Sequence, residues 1–176
     1  MHLNSSPSGE DRVYVAFFRR ESLIRFVLKD GAFFAPDKID ESTVMPPIDA
    51  ATAAPLRLNF SAVRSINSYG IRRLVGFIRT WRPRALEFYD CSSVMVDTIN
   101  IVRDLLGTPP DPAIVKSFAI PFFCSACDEY FDVIVKAGSI AFEAPNLGLA
   151  ARTCPRCNGP TEVDVEPEEH LAFLEN

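Results

Sequence analysis

The feature that most restricts how this 176-residue chain can fold is a pair of cysteine pairs, Cys124-Ser-Ala-Cys127 and Cys154-Pro-Arg-Cys157, with 26 residues between them. A Cys-x-x-Cys turn offers two sulfurs on one side. Two such turns supply the four soft ligands of a tetrahedral site, and zinc is the ion such a set suits. A disulfide framework belongs to oxidising compartments. The opening segment MHLNSSPSGEDR has neither the basic start nor the apolar stretch of a secretion signal, and no apolar run approaches the roughly 20 residues of a membrane helix. A reduced, cytoplasmic chain with no membrane association is therefore expected, with Cys124, Cys127, Cys154 and Cys157 holding a structural Zn2+.

Other uses of four cysteines fit less well. A redox dithiol would need one pair on a thioredoxin-like βαβ unit, whereas two pairs here bracket a short, strand-rich stretch. A catalytic zinc keeps an open position, and four thiolates close it. The spacing differs from that of ferredoxin clusters, and the two-knuckle layout resembles a zinc ribbon. Pro155 shapes the second knuckle, and Gly159-Pro160 breaks the chain before an expected strand at Glu162 to Val165. In this reading the metal folds the module.

With 48% hydrophobic residues, the chain can form one ordinary domain and a small extra module. Charge divides between them. Residues 117–176 hold three basic side chains (Lys136, Arg152, Arg156) against ten acidic ones, a net of -7, while residues 1–116 hold 15 basic and 13 acidic. An acidic module repels a phosphate backbone, which argues against a nucleic-acid partner.

Periodicity gives the following expectations. Residues 1–11 form a disordered polar leader. Val13 to Phe18 and Leu23 to Leu28 are strands of a hairpin, and residues 35–55, rich in proline, are a connection with at most a short helix. Leu56 to Phe60 is a strand. Gly70 to Trp81 is a helix with Ile71, Leu74, Val75, Ile78 and Trp81 on one face, ended by Arg82-Pro83-Arg84. Leu86 to Tyr89 is a strand. Ser92 or Ser93 caps a helix to about Leu106, with Met95, Ile99, Val102 and Leu106 inward and Gly107 as the stop. Ala113 to Ile120 is a strand that ends the first domain near Ser117. Beyond it come strands at Tyr130 to Val135 and Ile140 to Phe142, and a helix over Glu168 to Leu174 opened by Pro167. The order strand, helix, strand, helix, strand predicts an α/β fold: a mixed sheet with helices packed on it, partly parallel, followed by a small β-rich module. The domains expected are 12–116 and 117–176.

Between the strand at 56–60 and the helix lies Ile66-Asn67-Ser68-Tyr69-Gly70. Asn67 and Ser68 can cap the free N–H groups at the helix start, and Gly70 permits a close or left-handed backbone. The run from Leu56 to Gly107 resembles the STAS domain, the fold of bacterial anti-anti-sigma factors and of the cytoplasmic tails of sulfate transporters. In that family an apolar strand leads through an Asp-Ser-Ser-Gly-type loop into an amphipathic helix, a further strand and a second helix. LRLNFSAVRSINSYGIRRLVGFI is similar to the strand, loop and first helix, LEFYD to the next strand, and SSVMVDTINIVRDLLG to the second helix. The chain departs from the family pattern in the loop. Asn67 replaces the acidic residue, Ser68 matches the first hydroxyl, Tyr69 stands where the phosphorylated Ser or Thr stands, and Gly70 is kept.

The resemblance implies a non-enzymatic regulatory or scaffold protein that docks a protein partner, such as an anti-sigma-type kinase or another regulatory protein, through Asn67, Ser68, Tyr69 and Gly70 and the following helix. Arg72, Arg73 and Arg79 would form a basic rim for an acidic surface, which a second copy's acidic module could also supply. The serine-kinase switch is expected to be absent or altered, with Ser68 and Tyr69 the only hydroxyls in the loop for phosphorylation. A second expectation is a nucleic-acid-binding zinc-ribbon protein of the transcription machinery, with Arg72 to Arg84 as its footprint. A third is a metal chaperone or redox sensor with exchangeable zinc. Of the remaining chemical residues, His2 and His170 read as surface residues, Cys91 as a small core hydrophobe, and Asp128-Glu129 as solvated charge. No phosphate-binding loop, nucleophile elbow or His-Glu metalloprotease helix is present, so no catalytic residue is expected.

Overall fold

A computed structural model describes residues 24–47, 55–81, 85–107, 113–141 and 152–175. Residues 1–23 lie outside it, and with them the expected leader and the expected strand at 13–18.

The first described pairing is built on Asp30-Gly31. Both residues have positive φ, 50° and 78°, the backbone a two-residue hairpin turn requires and one that Asp-Gly favours. The turn joins β1 (Val27–Lys29) to β2 (Ala32–Phe34), antiparallel, with Val27 opposite Phe34. The stretch 23–28 thus gives only its last two residues to a strand, and its hairpin partner follows it in sequence. The segment expected to be a plain connection also holds a strand. β3 (Lys38–Ile39) runs parallel to β5 (Ser65–Ile66) and sits beneath the start of the first long helix.

β4 (Leu56–Asn59) alternates apolar and polar side chains, burying Leu56 and Leu58. It is followed by α1 (Ser68–Trp81), β6 (Leu86–Tyr89), α2 (Ser93–Ile101) and β7 (Ile114–Val115). The sheet order is β1-β2-β4-β6-β7, with β2, β4, β6 and β7 parallel to one another and β1 antiparallel at the edge. Parallel neighbours need crossover connections, which α1 and α2 provide. The mixed α/β architecture expected from the sequence is therefore present.

In α1 the buried positions Leu74, Phe77, Ile78 and Trp81 recur at the i, i+3, i+4, i+7 spacing of a core-facing stripe. Ile71 and Val75, expected inward, are only half-buried at the stripe's edge, and Phe77 takes part in their place. In α2 Ser92 is the cap, its Oγ accepting from the Met95 N–H, and Met95 and Ile99 are buried. The α-helix stops at Ile101, short of the expected Leu106, and Arg103–Leu105 form a 3-10 turn. With three residues per turn instead of 3.6, that turn moves the inward position by one. Leu105, not Leu106, is fully buried. Gly107 follows with φ 86°.

The expected strand at 113–120 breaks at Lys116 and resumes as β8 (Ser117–Cys124), the centre of a second, antiparallel sheet of order β10-β8-β9. Its neighbours are β9 (Glu129–Lys136) and β10 (Glu162–Val163). No strand forms at 140–141; Ala137–Ser139 make a 3-10 turn instead, and Phe142 lies outside the described residues. Cys91 stitches the two sheets together. Its N–H donates to the Ser117 carbonyl at 3.0 Å and its carbonyl accepts from the Ala119 N–H at 2.7 Å. Phe118, Ile120 and Phe122 of β8 join Leu58, Phe60 and Phe88 in one buried cluster.

The expected terminal helix is a short α3 (Pro167–His170) continued by a 3-10 turn at Ala172–Glu175. Leu171 and Phe173 are buried, and the Phe173 ring meets that of Phe118 edge-on at 5.1 Å. His170 is not the expected surface residue. It is 5% exposed, and its Nε2 lies 2.9 Å from the Ala119 carbonyl oxygen. The short apolar segment that follows it anchors α3 to β8, and the ring is carried inward with it. Among the described residues, no helix is long and apolar enough to cross a membrane.

Candidate functional site

β8 ends at Cys124 and β9 begins at Glu129, so the first cysteine pair occupies the hairpin turn between the two longest strands. The second pair occupies the turn after Arg152 and Thr153. Both turns share a backbone device: the residue after each second cysteine, Asp128 or Asn158, sits in the left-handed region at φ 55° and 57°. Asp and Asn tolerate that region better than other residues with a side chain. This curl points the turn's amides at the sulfurs. The Arg156 N–H donates to Cys154 Sγ at 3.4 Å, and the Gly159 N–H donates to Cys157 Sγ at 3.4 Å. A side chain at 159 would crowd this site, since its Cβ would stand 3.1 Å from Cys157 Sγ.

The four sulfurs converge. Cys124 Sγ is 3.6 Å from Cys157 Sγ, Cys154 Sγ is 3.9 Å from Cys127 Sγ, and all four lie within 4.8 Å of one another. Sulfurs about 2.3 Å from a tetrahedral metal stand roughly 3.8 Å apart, whereas a disulfide requires about 2.05 Å. The cluster could therefore bind a metal ion. Its electrostatics also favour a cation. Burial pushes the Cys124 thiol up, and hydrogen bonding with Cys157, reinforced by burial, pushes Cys127 up to about 12. Cys154 moves down to about 7 because the backbone N–H groups of Cys157 and Arg156 point at it. One thiolate is stabilised and its neighbours resist a second negative charge, so four thiolates coexist only around a cation. An exposed ion pair between Arg156 and Glu129 bridges the two turns; pairs of this kind contribute at most about 1 kcal/mol.

Cys91 and Asp128-Glu129 add no further chemistry. Cys91 is fully buried, and burial raises its thiol far above the ordinary range. Glu129 is occupied by Arg156.

The second candidate surface is the loop before α1. Asn67 is the cap: its Oδ1 accepts from the Gly70 N–H at 2.8 Å, and its backbone carbonyl accepts from the Ile71 N–H at 2.9 Å. Ser68 is already the first helical residue, so of the two expected caps only Asn67 takes the capping position. Gly70 is required by close approach, because a Cβ there would stand 2.2 Å from the Ile39 carbonyl oxygen of β3. The head of α1 is thus pressed directly onto β3. Tyr69 points outward, 60% exposed, with the Arg72 guanidinium 5.9 Å from its ring centre. Arg72 and Arg73 are exposed as well.

Two parts of this surface escaped the sequence reading. The first lies on the connection after β3. Glu41 Oε2 accepts from Asn67 Nδ2 at 2.9 Å, and this bond holds the Glu41 carboxyl below its usual range. Beside it the Asp40 carboxyl is lowered to about 2, first by the Ser42 hydroxyl and then by Lys38, whose Nζ is 2.9 Å away. The only local signal was the Asp-x-Ser-Thr pattern, which favours a side-chain-closed turn. The second is an open groove of about 670 Å3 between α1 and the end of α2, with Ile71, Val75 and Ile101 as apolar lining and Arg72 on its rim. Arg79, also on the rim, is ion-paired with Asp104.

No protein-family model, curated protein or solved structure matches this chain.

Proposed function

We propose that this chain is a non-enzymatic regulatory or scaffold protein: a STAS-like domain that docks a protein partner, followed by a zinc ribbon that holds its fold. The carrying observation is the loop 67–70. It is braced from below by β3, capped by Asn67 and tied to Glu41, yet it leaves Tyr69 and two arginines exposed. A braced scaffold that presents an exposed aromatic beside cations is how docking surfaces concentrate binding energy. The groove formed by Ile71, Val75 and Ile101 continues that surface along α1 and offers apolar area next to the arginine rim.

One feature supports a constitutive surface over a phosphorylation switch: Tyr69 offers a serine kinase no acceptor. The sulfur separations of 3.6 and 3.9 Å support zinc, the ion whose structural sites use four thiolates at this spacing. Four thiolates leave no position for substrate or water, so the metal's contribution is to folding. A cytoplasmic location, where thiols stay reduced, is part of the same proposal.

The test is affinity capture from native cells with the full chain, comparing wild type with Tyr69→Ala and Arg73→Glu. Loss of a specific partner in both variants, with folding and metal content unchanged, is the expected result. Capture of no partner, or capture indifferent to both substitutions, refutes the docking surface.

A further inference from the structure

β9 is an eight-residue strand at the open edge of the second sheet. On its other side it pairs with β8 along its whole length, from Ser117 opposite Lys136 to Cys124 opposite Glu129. Among the described residues nothing pairs with its outer edge. Phe131, Val133 and Val135 turn toward the core cluster, while Tyr130, Asp132, Ile134 and Lys136 form the opposite face. On that face two large apolar side chains are exposed, Tyr130 at 66% and Ile134 at 46%. Natural edge strands usually avoid such a row, because unpaired backbone groups beside apolar side chains recruit another strand.

The side chains specify which strand fits. Two copies of β9 pairing antiparallel about a two-fold axis normal to the sheet keep each side chain on its own face, so opposing residues must share parity. Glu129 therefore cannot face Lys136. Centring the axis on Asp132 sets two carboxylates against each other, and centring it on Val133 sets Asp132 against Ile134. Centring it on Ile134 places each Asp132 opposite the partner copy's Lys136, Ile134 against Ile134, and Val133 against Val135. Of these registers, this one alone pairs opposite charges on the exposed face. Asp132 Oδ1 already accepts from Ser93 Oγ at 2.9 Å, which orients the carboxylate and leaves Oδ2 for the lysine.

We infer that the β9 edge is a homodimer interface: a second copy of this chain adds its own β9 antiparallel, centred on Ile134, to make one six-stranded sheet across the two ribbons. Backbone bonds along the seam supply the attraction, and the two Asp132–Lys136 pairs select the register. The inference uses none of residues 67–70, so it stands or falls independently of that reading.

Sedimentation equilibrium of the metal-loaded full chain tests it. A concentration-dependent dimer is expected. Asp132→Lys and Lys136→Asp should each weaken it about ten-fold or more by turning two attractive cross-strand pairs into repulsive ones. The double exchange, Asp132→Lys with Lys136→Asp, should restore association to within about three-fold of wild type, a recovery that general damage to the fold would not produce. Unchanged circular dichroism and metal content qualify each variant, and the second single reversal serves if the first is misfolded. A chain that stays monomeric to about 1 mM overturns the inference. So does a dimer that neither reversal weakens, or one the double exchange fails to rescue.

Discussion

The same substitution at two positions of one helix should have opposite signs. Gly70 and Gly76 both lie in α1. At Gly76 an added Cβ meets nothing within 4 Å. Gly76→Ala should therefore stabilise the protein by up to about 1 kcal/mol, the helix-propensity difference between the two residues. At Gly70 the Cβ would stand 2.2 Å from the Ile39 carbonyl oxygen, 2.6 Å from its carbon and 3.0 Å from the Asp40 nitrogen. All three are backbone atoms, of β3 and of the residue that follows it, with no flexible side chain to swing aside. Relief requires α1 to lift from β3, at the upper end of the roughly 1–3 kcal/mol typical of overpacking. Lifting also stretches the Asn67 Oδ1 bond to the Gly70 N–H, an N-cap contribution of about 1 kcal/mol. Subtracting the propensity gain leaves Gly70→Ala destabilising by about 2–3 kcal/mol. The two variants should thus differ by about 3–4 kcal/mol. Urea denaturation of the metal-loaded protein, followed by far-ultraviolet circular dichroism, measures both. If Gly70→Ala proves neutral or stabilising, the close packing of α1 on β3 is wrong, and with it the rigid support claimed for the loop.

Other outcomes follow from the same structure. Cys124→Ser and Cys154→Ser should each abolish stoichiometric zinc binding in mass spectrometry under native conditions; retention of a full equivalent would refute the four-thiolate site. Because protons compete for the sulfurs, zinc should be released as pH falls, read with a chromogenic chelator, and release that quickens with rising pH would contradict it. Asp40, at about 2 in the fold against 3.8 for the free side chain, lends stability that is complete above about pH 4 and lost as pH falls toward 2. Asp40→Asn should flatten that part of the stability profile relative to wild type; identical profiles would remove Asp40 as a contributor. His170→Ala should cost about 1–3 kcal/mol by leaving the Ala119 carbonyl without its buried partner, and a change below about 0.5 kcal/mol, the size of an ordinary surface effect, would return His170 to the surface.

The site was legible to different degrees for physical reasons. The cysteine cluster could be read because each pair is local: two residues between sulfurs form a turn whatever surrounds it, and four sulfurs have few other uses. The α1 stripe and the Ser92 cap were legible for the same reason, since a helix repeats its pattern within a few residues. The hairpin at Asp30-Gly31 was equally local and was missed in favour of a more apolar run upstream. His170, Glu41 and the Asp40 turn carried no comparable signal. Their roles depend on Ala119, Asn67 and Lys38, and two of those partners lie tens of residues away.

What the sequence alone determined is the alternation of strands and helices, and hence an α/β class, together with the four sulfurs able to meet a metal. Both follow from short-range geometry, in which residue spacing specifies which side chains share a face or a turn. The tertiary structure alone decided how closely α1 is held to β3, which required Gly70 to lack a side chain. It also decided that β8 carries Phe118 and Phe122 into the same core as Leu58 and Phe88, and that among the described residues nothing pairs with the outer edge of β9. Those outcomes depend on which distant segments bury the most apolar surface together, and no local pattern encodes that choice.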